Sequence, residues 1–181
     1  DRTDAGLQLA DNLKQFKNDN VVILAIPRGG LPLGAIVAKS LNAPLDVALS
    51  KKIGHPYNKE YAIGAVSLDD IILSDVPRIN KTYIHQETEK IRQKLRKRFN
   101  QYYKSSSSLD LKGKIVIIVD DGIATGNTIK ITAQMVNKKQ PKKVIVAIPV
   151  APRRAIENMK ASNYIDEVIC LETPPNFHAV G

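Results

Sequence analysis

Lys114-Ile115-Val116-Ile117-Ile118-Val119-Asp120-Asp121-Gly122-Ile123-Ala124-Thr125-Gly126-Asn127-Thr128 is the stretch on which the reading of this chain turns. Five apolar, mostly β-branched residues, Ile115 to Val119, have the length and composition of a strand buried on both faces, as in a parallel sheet. Two carboxylates follow, then a loop with glycines at 122 and 126, then a helical pattern from about Asn127 to Asn137. A strand, a glycine loop and a helix in that order place an anion-binding loop at the carboxyl edge of an α/β sheet. Glycine allows close backbone approach, so successive N–H groups can converge on a phosphate, and Thr125 and Thr128 add hydroxyl donors. Asp120 and Asp121 beside such a cradle would repel phosphate but accept hydrogen bonds from neutral hydroxyls. A phosphate next to a vicinal diol describes a ribose 5-phosphate.

The string Asp120-Asp121-Gly122-Ile123-Ala124-Thr125-Gly126-Asn127-Thr128 resembles the signature of the type I phosphoribosyltransferases. That signature is a hydrophobic strand, two acidic residues, then Gly-x-x-x-Gly and a hydroxyl residue. An acidic pocket of the Rossmann or receiver kind, or acids present by chance, explains neither both glycines nor both hydroxyls. The resemblance extends over nearly the whole chain. It is nearest to a less characterised branch with Pro-Arg-Gly-Gly, Lys-Ile-Gly and Ala-Ile-Gly-Ala, which stand here at 27–30, 52–54 and 62–65.

Read in order, the chain alternates strands and helices. Thr3 to Lys17 has helical spacing, Val21–Ile26 is strand-like, and Pro27-Arg28-Gly29-Gly30 leads into a helix from about Leu33 to Leu41. This second strand, glycine loop and helix offers a second anion site at the same sheet edge. Leu45–Leu49 is the next strand, followed by Ser50-Lys51-Lys52. Gly54 to Glu60 reads as a mobile loop, and Tyr61–Ser67 with Ile71–Ser74 reads as a hairpin. Lys143–Val150 and Glu167–Leu171 complete the core strands, with a helix at Arg153 to Ala161 between them. Short joins between alternating elements predict a doubly wound, mainly parallel five-stranded α/β sheet with right-handed crossovers. The expected organisation is one domain over 1–181, with a hairpin insertion at about 54–76 and a small C-terminal hood at about 172–181.

Composition sets outer bounds. The chain has 181 residues, 43% of them apolar and 25% charged, which suits one well-cored globular domain. No run approaches a membrane span, and the polar start is unlike a signal peptide. The opening at Asp1 without Met, and the end at Gly181 without a closing element, fit a trimmed chain. The single cysteine, Cys170, reads as a core thiol in a reducing, cytoplasmic compartment. The net charge is +9, and the segment from Lys81 to Lys104 holds eight Lys/Arg against two Glu, a net of +6. Ile84, Ile91, Leu95, Phe99 and Tyr102 in that segment have the spacing of an amphipathic helix, so a packed helix with a solvated basic face is expected. Ser105 to Ser108 reads as a short connector.

The resemblance implies a function: transfer of a phosphoribosyl group from phosphoribosyl pyrophosphate (PRPP) to a nitrogenous, nucleobase-like acceptor, with release of pyrophosphate. It implies that Asp120 and Asp121 hold the ribose hydroxyls and that Gly122, Ile123, Ala124, Thr125, Gly126, Asn127 and Thr128 cradle the 5-phosphate. Arg28, Gly29, Gly30 and Lys52 would hold pyrophosphate. Arg28, Lys52, Asp120 and Asp121 are thus the candidate catalytic set, within nucleotide metabolism. It also implies Mg²⁺ carried by the oxygens of PRPP and by water, with no metal ligand assigned to the protein. A hairpin closing over the reacting centre and a hood with an aromatic against the base, here Phe177, belong to the same expectation. His55 lies in the expected loop as an acid–base candidate, although a loop histidine needs no special role. Where some purine enzymes of the family place an acid between the two glycines, this chain has Ile123-Ala124-Thr125, so no general base is assigned and the acceptor stays open.

A second reading of the same residues is a non-catalytic PRPP or nucleotide sensor that binds nucleic acid through the basic helix 81–104. A nucleotide-hydrolysing or phosphatase-like α/β enzyme is disfavoured, because no Walker lysine and no Cys or Ser nucleophile follows a strand in a recognisable loop. A homodimer is compatible with everything above.

Overall fold

A computed structural model describes residues 1–74, 79–102 and 109–175 of the chain. In order, the elements are α1 (Arg2–Asn12), β1 (Val21–Ala25), α2 (Gly30–Leu41), β2 (Leu45–Val47), β3 (Ser50–His55), β4 (Asn58–Ser67), β5 (Ile71–Leu73), α3 (Lys81–Tyr102), β6 (Ile115–Val119), α4 (Asn127–Asn137), β7 (Lys143–Val150), α5 (Arg153–Lys160) and β8 (Glu167–Glu172). A short 3-10 turn, Lys14–Phe16, follows α1. The chain divides into two compact units, one made of residues 1–48 and 108–181, the other of 49–107.

The first unit holds a five-stranded, all-parallel sheet in the order β2-β1-β6-β7-β8. Every residue of β1 and β6 is buried, as a central strand covered on both faces requires. Alternate side chains divide the core in two. Ile115, Ile117 and Val119 pack with Leu9 of α1, Leu13 just after it, and Leu33 and Val37 of α2. Val116 and Ile118 pack with Ile129, Ala133, Ala155 and Met159 from α4 and α5. Helices therefore cover both faces, and the doubly wound five-stranded sheet expected from the pattern is the one observed. Strand order reverses between β1 and β6, whose registers run Val21 opposite Ile115 to Ala25 opposite Val119. That is the switch point at which ligands bind in open α/β sheets, outside the carboxyl ends of the strands.

Details of this unit depart from the expectation, among them β2, which ends at Val47 and not at Leu49. Helix α2 starts at Gly30, about three residues early, because the chain turns into the helix directly from the glycine pair. Cys170 is half-buried on the edge strand β8, so its thiol packs against the core from the rim, with Sγ 3.2 Å from the carbonyl oxygen of Glu172.

In the second unit β3, β4 and β5 form an antiparallel sheet. The β4–β5 hairpin is as expected. The loop expected at Gly54 to Glu60 is instead mostly strand: β3 and β4 pair from Ser50 opposite Ser67 to His55 opposite Asn58, turning at Pro56-Tyr57. Exposed polar residues such as Lys51, Lys52, Asn58 and Glu60 are interspersed here with buried Ile53, Ile63, Ala65 and Val66. Polarity alone therefore misled the reading, since an antiparallel sheet can face water on one side. Helix α3 buries Ile91 and Leu95 and leaves Lys94, Arg96, Lys97 and Arg98 exposed. The serine connector and residues 176–181 of the expected hood, including Phe177, lie outside the described residues.

Candidate functional site

Two loops leave the carboxyl ends of the neighbouring strands β1 and β6. The ladder between these strands continues one step beyond them, where the Ile26 N–H donates to the Val119 carbonyl at 2.9 Å. Beyond that point the loops are separated by glycine alone. A Cβ placed on Gly30 would lie 2.4 Å from the Val119 carbonyl oxygen, and one on Gly29 would lie 2.2 Å from Asp121 Oδ2. No L side chain fits at either position without moving backbone or the carboxylate. Arg28 is exposed beside them, and the Pro27–Arg28 peptide is cis.

Asp120 and Asp121 form the floor of the second loop. Asp120 Oδ1 accepts from the Asp121 N–H at 2.8 Å, and Asp121 Oδ1 accepts from the Gly122 N–H at 2.8 Å. Burial pushes the Asp120 carboxyl up to about 7; the Asp121 N–H opposes this shift and the Asp121 charge adds to it. The guanidinium of Arg2, at the start of α1, lies 3.6 Å from Asp121 Oδ2. Gly6 on α1 sits against Ile36 on α2, where a Cβ would come within 2.7 Å of that side chain, so α1 is packed closely enough to bring Arg2 to the loop.

The rest of the loop, Gly122 to Thr128, is exposed except for the half-buried Ile123 and the buried Gly126. Gly126 has φ +82°, a left-handed conformation, and a Cβ there would meet Met159 Cγ at 2.8 Å. The free N–H groups of the first turn of α4 begin just beyond it, which is where an anion is held by backbone donors. Thr125 Oγ1 accepts from the Asn127 N–H at 3.2 Å. Asn158 on α5 braces the loop from outside: its Nδ2 donates to the Thr125 carbonyl at 2.9 Å and to Asn127 Oδ1 at 3.1 Å. Lys130 Nζ donates to Asn158 Oδ1 at 2.9 Å, which fixes the amide's orientation.

A cavity of about 770 Å³ opens beside this loop, lined by Ala124, Thr125, Pro152, Arg153, Arg154 and Pro174 among others. Among the described residues no group of three or more His, Cys, Asp or Glu side chains could hold a metal ion. None of the described helices is long and apolar enough to cross a membrane.

The structure thus brings together Arg28, Gly29, Gly30 and the whole of 120–128. Lys52 belongs to the other unit, exposed on β3. His55 is occupied in the turn of its hairpin, its Nδ1 accepting from the Tyr57 N–H at 3.1 Å. Arg2, Asn158, Arg153 and Arg154 were not visible in the sequence as site residues. Each sits within an ordinary helical pattern, and only the fold shows which way its side chain points.

Two glycine loops, one carrying a pair of acids, thus stand at the switch point of a parallel sheet. Residues 4–180 match the family described as the phosphoribosyl transferase domain, and the chain belongs to that family. A Mycobacterium tuberculosis relative named "Putative phosphoribosyl transferase Rv0571c" is 39% identical over 186 residues, an alignment that takes in 100% of this chain but 42% of the relative. The chain therefore spans less than half the length of that relative. Among solved structures, TT1426 from Thermus thermophilus matches 99% of this chain and 86% of its own at 36% identity, with a TM-score of 0.86. The purine phosphoribosyltransferase of Pyrococcus horikoshii matches 93% and 81% at 22% identity, with a TM-score of 0.52, a likeness of fold alone.

Proposed function

We propose that this chain transfers ribose 5-phosphate from PRPP to a nitrogenous acceptor with release of pyrophosphate. The observation that carries the reading is the juxtaposition at the β1/β6 switch point of a braced phosphate loop, two vicinal carboxylates and the Arg28-Gly29-Gly30 turn. In this reading the N–H groups at the start of α4 and the Thr125 and Thr128 hydroxyls take the 5-phosphate, and Asp120 and Asp121 accept from the ribose hydroxyls. The Gly29 and Gly30 amides and the Arg28 guanidinium take the pyrophosphate, with Lys52 as a further cationic candidate. Their contribution is positioning, plus stabilisation of the charge that builds on the leaving group.

The acceptor nitrogen supplies an electron pair to C1 as the C1–O bond breaks, and that bond's electrons leave with pyrophosphate. The proton of the acceptor nitrogen passes to water, since the loop residues Ile123, Ala124 and Thr125 include no base. Mg²⁺ fits as an ion borne by substrate: the donors beside the cradle are two carboxylates, too few for a protein cage. When bound, it would neutralise pyrophosphate oxygens. The test is pyrophosphate release from PRPP with a panel of nitrogenous bases. Release that depends on both a base and Asp120/Asp121 supports transfer; none with any base, alongside intact PRPP binding, favours a sensor.

The sensor alternative rests on the exposed basic face of α3. Arg92 contributes less to that face than its sequence position suggests, because its Nε donates to the Ser67 carbonyl at 3.2 Å.

A further inference from the structure

The cavity beside the phosphate loop is larger than one phosphate group needs. Its volume of about 770 Å³ falls in the range of small-molecule sites, roughly 300–1,000 Å³. Ala124, Pro152 and Pro174 give it apolar walls, of the kind a flat ring would pack on. Arg153 and Arg154 line the same space, and among the described residues no Asp or Glu lines it with them. Among the described residues neither arginine has an ion-pair or hydrogen-bond partner. Two adjacent arginines, both exposed to solvent, thus stand at the wall of a ring-sized cavity, where a guanidinium fork can match a planar carboxylate in a bidentate way.

We infer that the acceptor of this site is a nitrogenous ring bearing an acid group, with Arg153 and Arg154 holding that group. The inference rests on the transferase reading for the word acceptor, but the anion preference of the cavity stands on its own residues. The 5-phosphate has its own donors in the loop, so the arginines are left for a second negative charge. An uncharged nucleobase would gain no charge-assisted hydrogen bond from either guanidinium.

The test uses matched pairs of ring compounds differing only in a carboxylate or its carboxamide, screened by ligand-observed NMR. Each pair is run on the protein alone and on the protein with saturating ribose 5-phosphate, against wild type and Arg153→Gln/Arg154→Gln. Glutamine suits a helix, and thermal melting checks that the double variant folds. The expected result is that carboxylates bind at least tenfold tighter than their amides. That preference should vanish in the double variant while ribose 5-phosphate affinity changes less than twofold. Equal binding of acids and amides, or a preference that survives the double variant, would overturn the inference. So would a tenfold loss of ribose 5-phosphate affinity in the variant, since it would assign the arginines to the sugar phosphate. Failure of ribose 5-phosphate to bind wild type would instead count against the transferase reading, and the acid–amide comparison on the protein alone would still decide this one.

Discussion

Arg2 and Asp121, 119 positions apart, face each other at 3.6 Å across the rim of the site. The first turn of α1 thus contributes a cation to a carboxylate proposed to hold the ribose. Both side chains keep solvent access, 65% and 38% exposed, so the pair is worth little to stability, about 0–1 kcal/mol. Its effect is on orientation. Arg2→Gln should leave the melting temperature within about 3 °C of wild type, a shift consistent with that small energy. PRPP affinity should fall by about three- to tenfold, equivalent to roughly 0.7–1.4 kcal/mol, with partial recovery in Arg2→Lys. Calorimetry on the three proteins checks it; unchanged affinity would make the pair incidental.

The glycines of the two loops should respond to very different degrees. Gly30→Ala drives a methyl to 2.4 Å from the Val119 carbonyl, while Gly122→Ala meets only Val150 Cγ1 at 3.7 Å. Gly30→Ala should cost about 1–3 kcal/mol as an overpacking change and Gly122→Ala less than about 0.5 kcal/mol. Urea unfolding of both variants measures the difference, and equal costs would show that the β1 loop has room to yield.

Asp120 should give the site a pH dependence centred near 7. Its folded value of about 7 lies above the ordinary 3.8, so the native state holds a proton that the unfolded chain releases. The resulting stability is present in full below about pH 4 and is lost as pH rises through 7. With allowance for solvent screening, the loss is on the order of 1–2 kcal/mol. Asp120→Asn should therefore be more stable relative to wild type at pH 8 than at pH 5. Binding has the opposite sign: a carboxylate accepts from ribose hydroxyls better than its acid does, so PRPP affinity should rise through pH 7 and level off. Urea unfolding and titrations at pH 5, 6, 7 and 8 measure both trends.

Asn158 tests the bracing of the phosphate loop. Asn158→Ala removes the donors to the Thr125 carbonyl and Asn127 Oδ1 and the acceptor for Lys130. Net hydrogen-bond contributions of about 1 kcal/mol apiece put the loss near 1–3 kcal/mol. Ribose 5-phosphate affinity should drop about tenfold or more, with a smaller change for Asn158→Asp. Fluorescence or calorimetric titration with ribose 5-phosphate would show it.

The five-stranded sheet was legible because Ile115–Val119 is apolar at every position, which requires cover on both faces, and because the helices between strands are short and regular. The cradle was legible for a related reason: Asp120, Asp121, Gly122 and Gly126 are close in sequence as in space. What the sequence concealed was contributed from a distance. Arg2 and Asn158 reach the loop from other helices, and no local pattern says which way they point. The β3–β4 ladder was concealed differently, since Gly54 to Glu60 is polar enough to look like a loop although the two strands run through most of it.

The central claim is most directly tested by calorimetric titration of PRPP with Mg²⁺ into wild type and Asp120→Asn/Asp121→Asn. Saturable binding by wild type, lost or weakened at least a hundredfold in a double variant that remains folded, is the predicted result. A folded wild type that does not bind PRPP, or a double variant that binds as well as wild type, would contradict it.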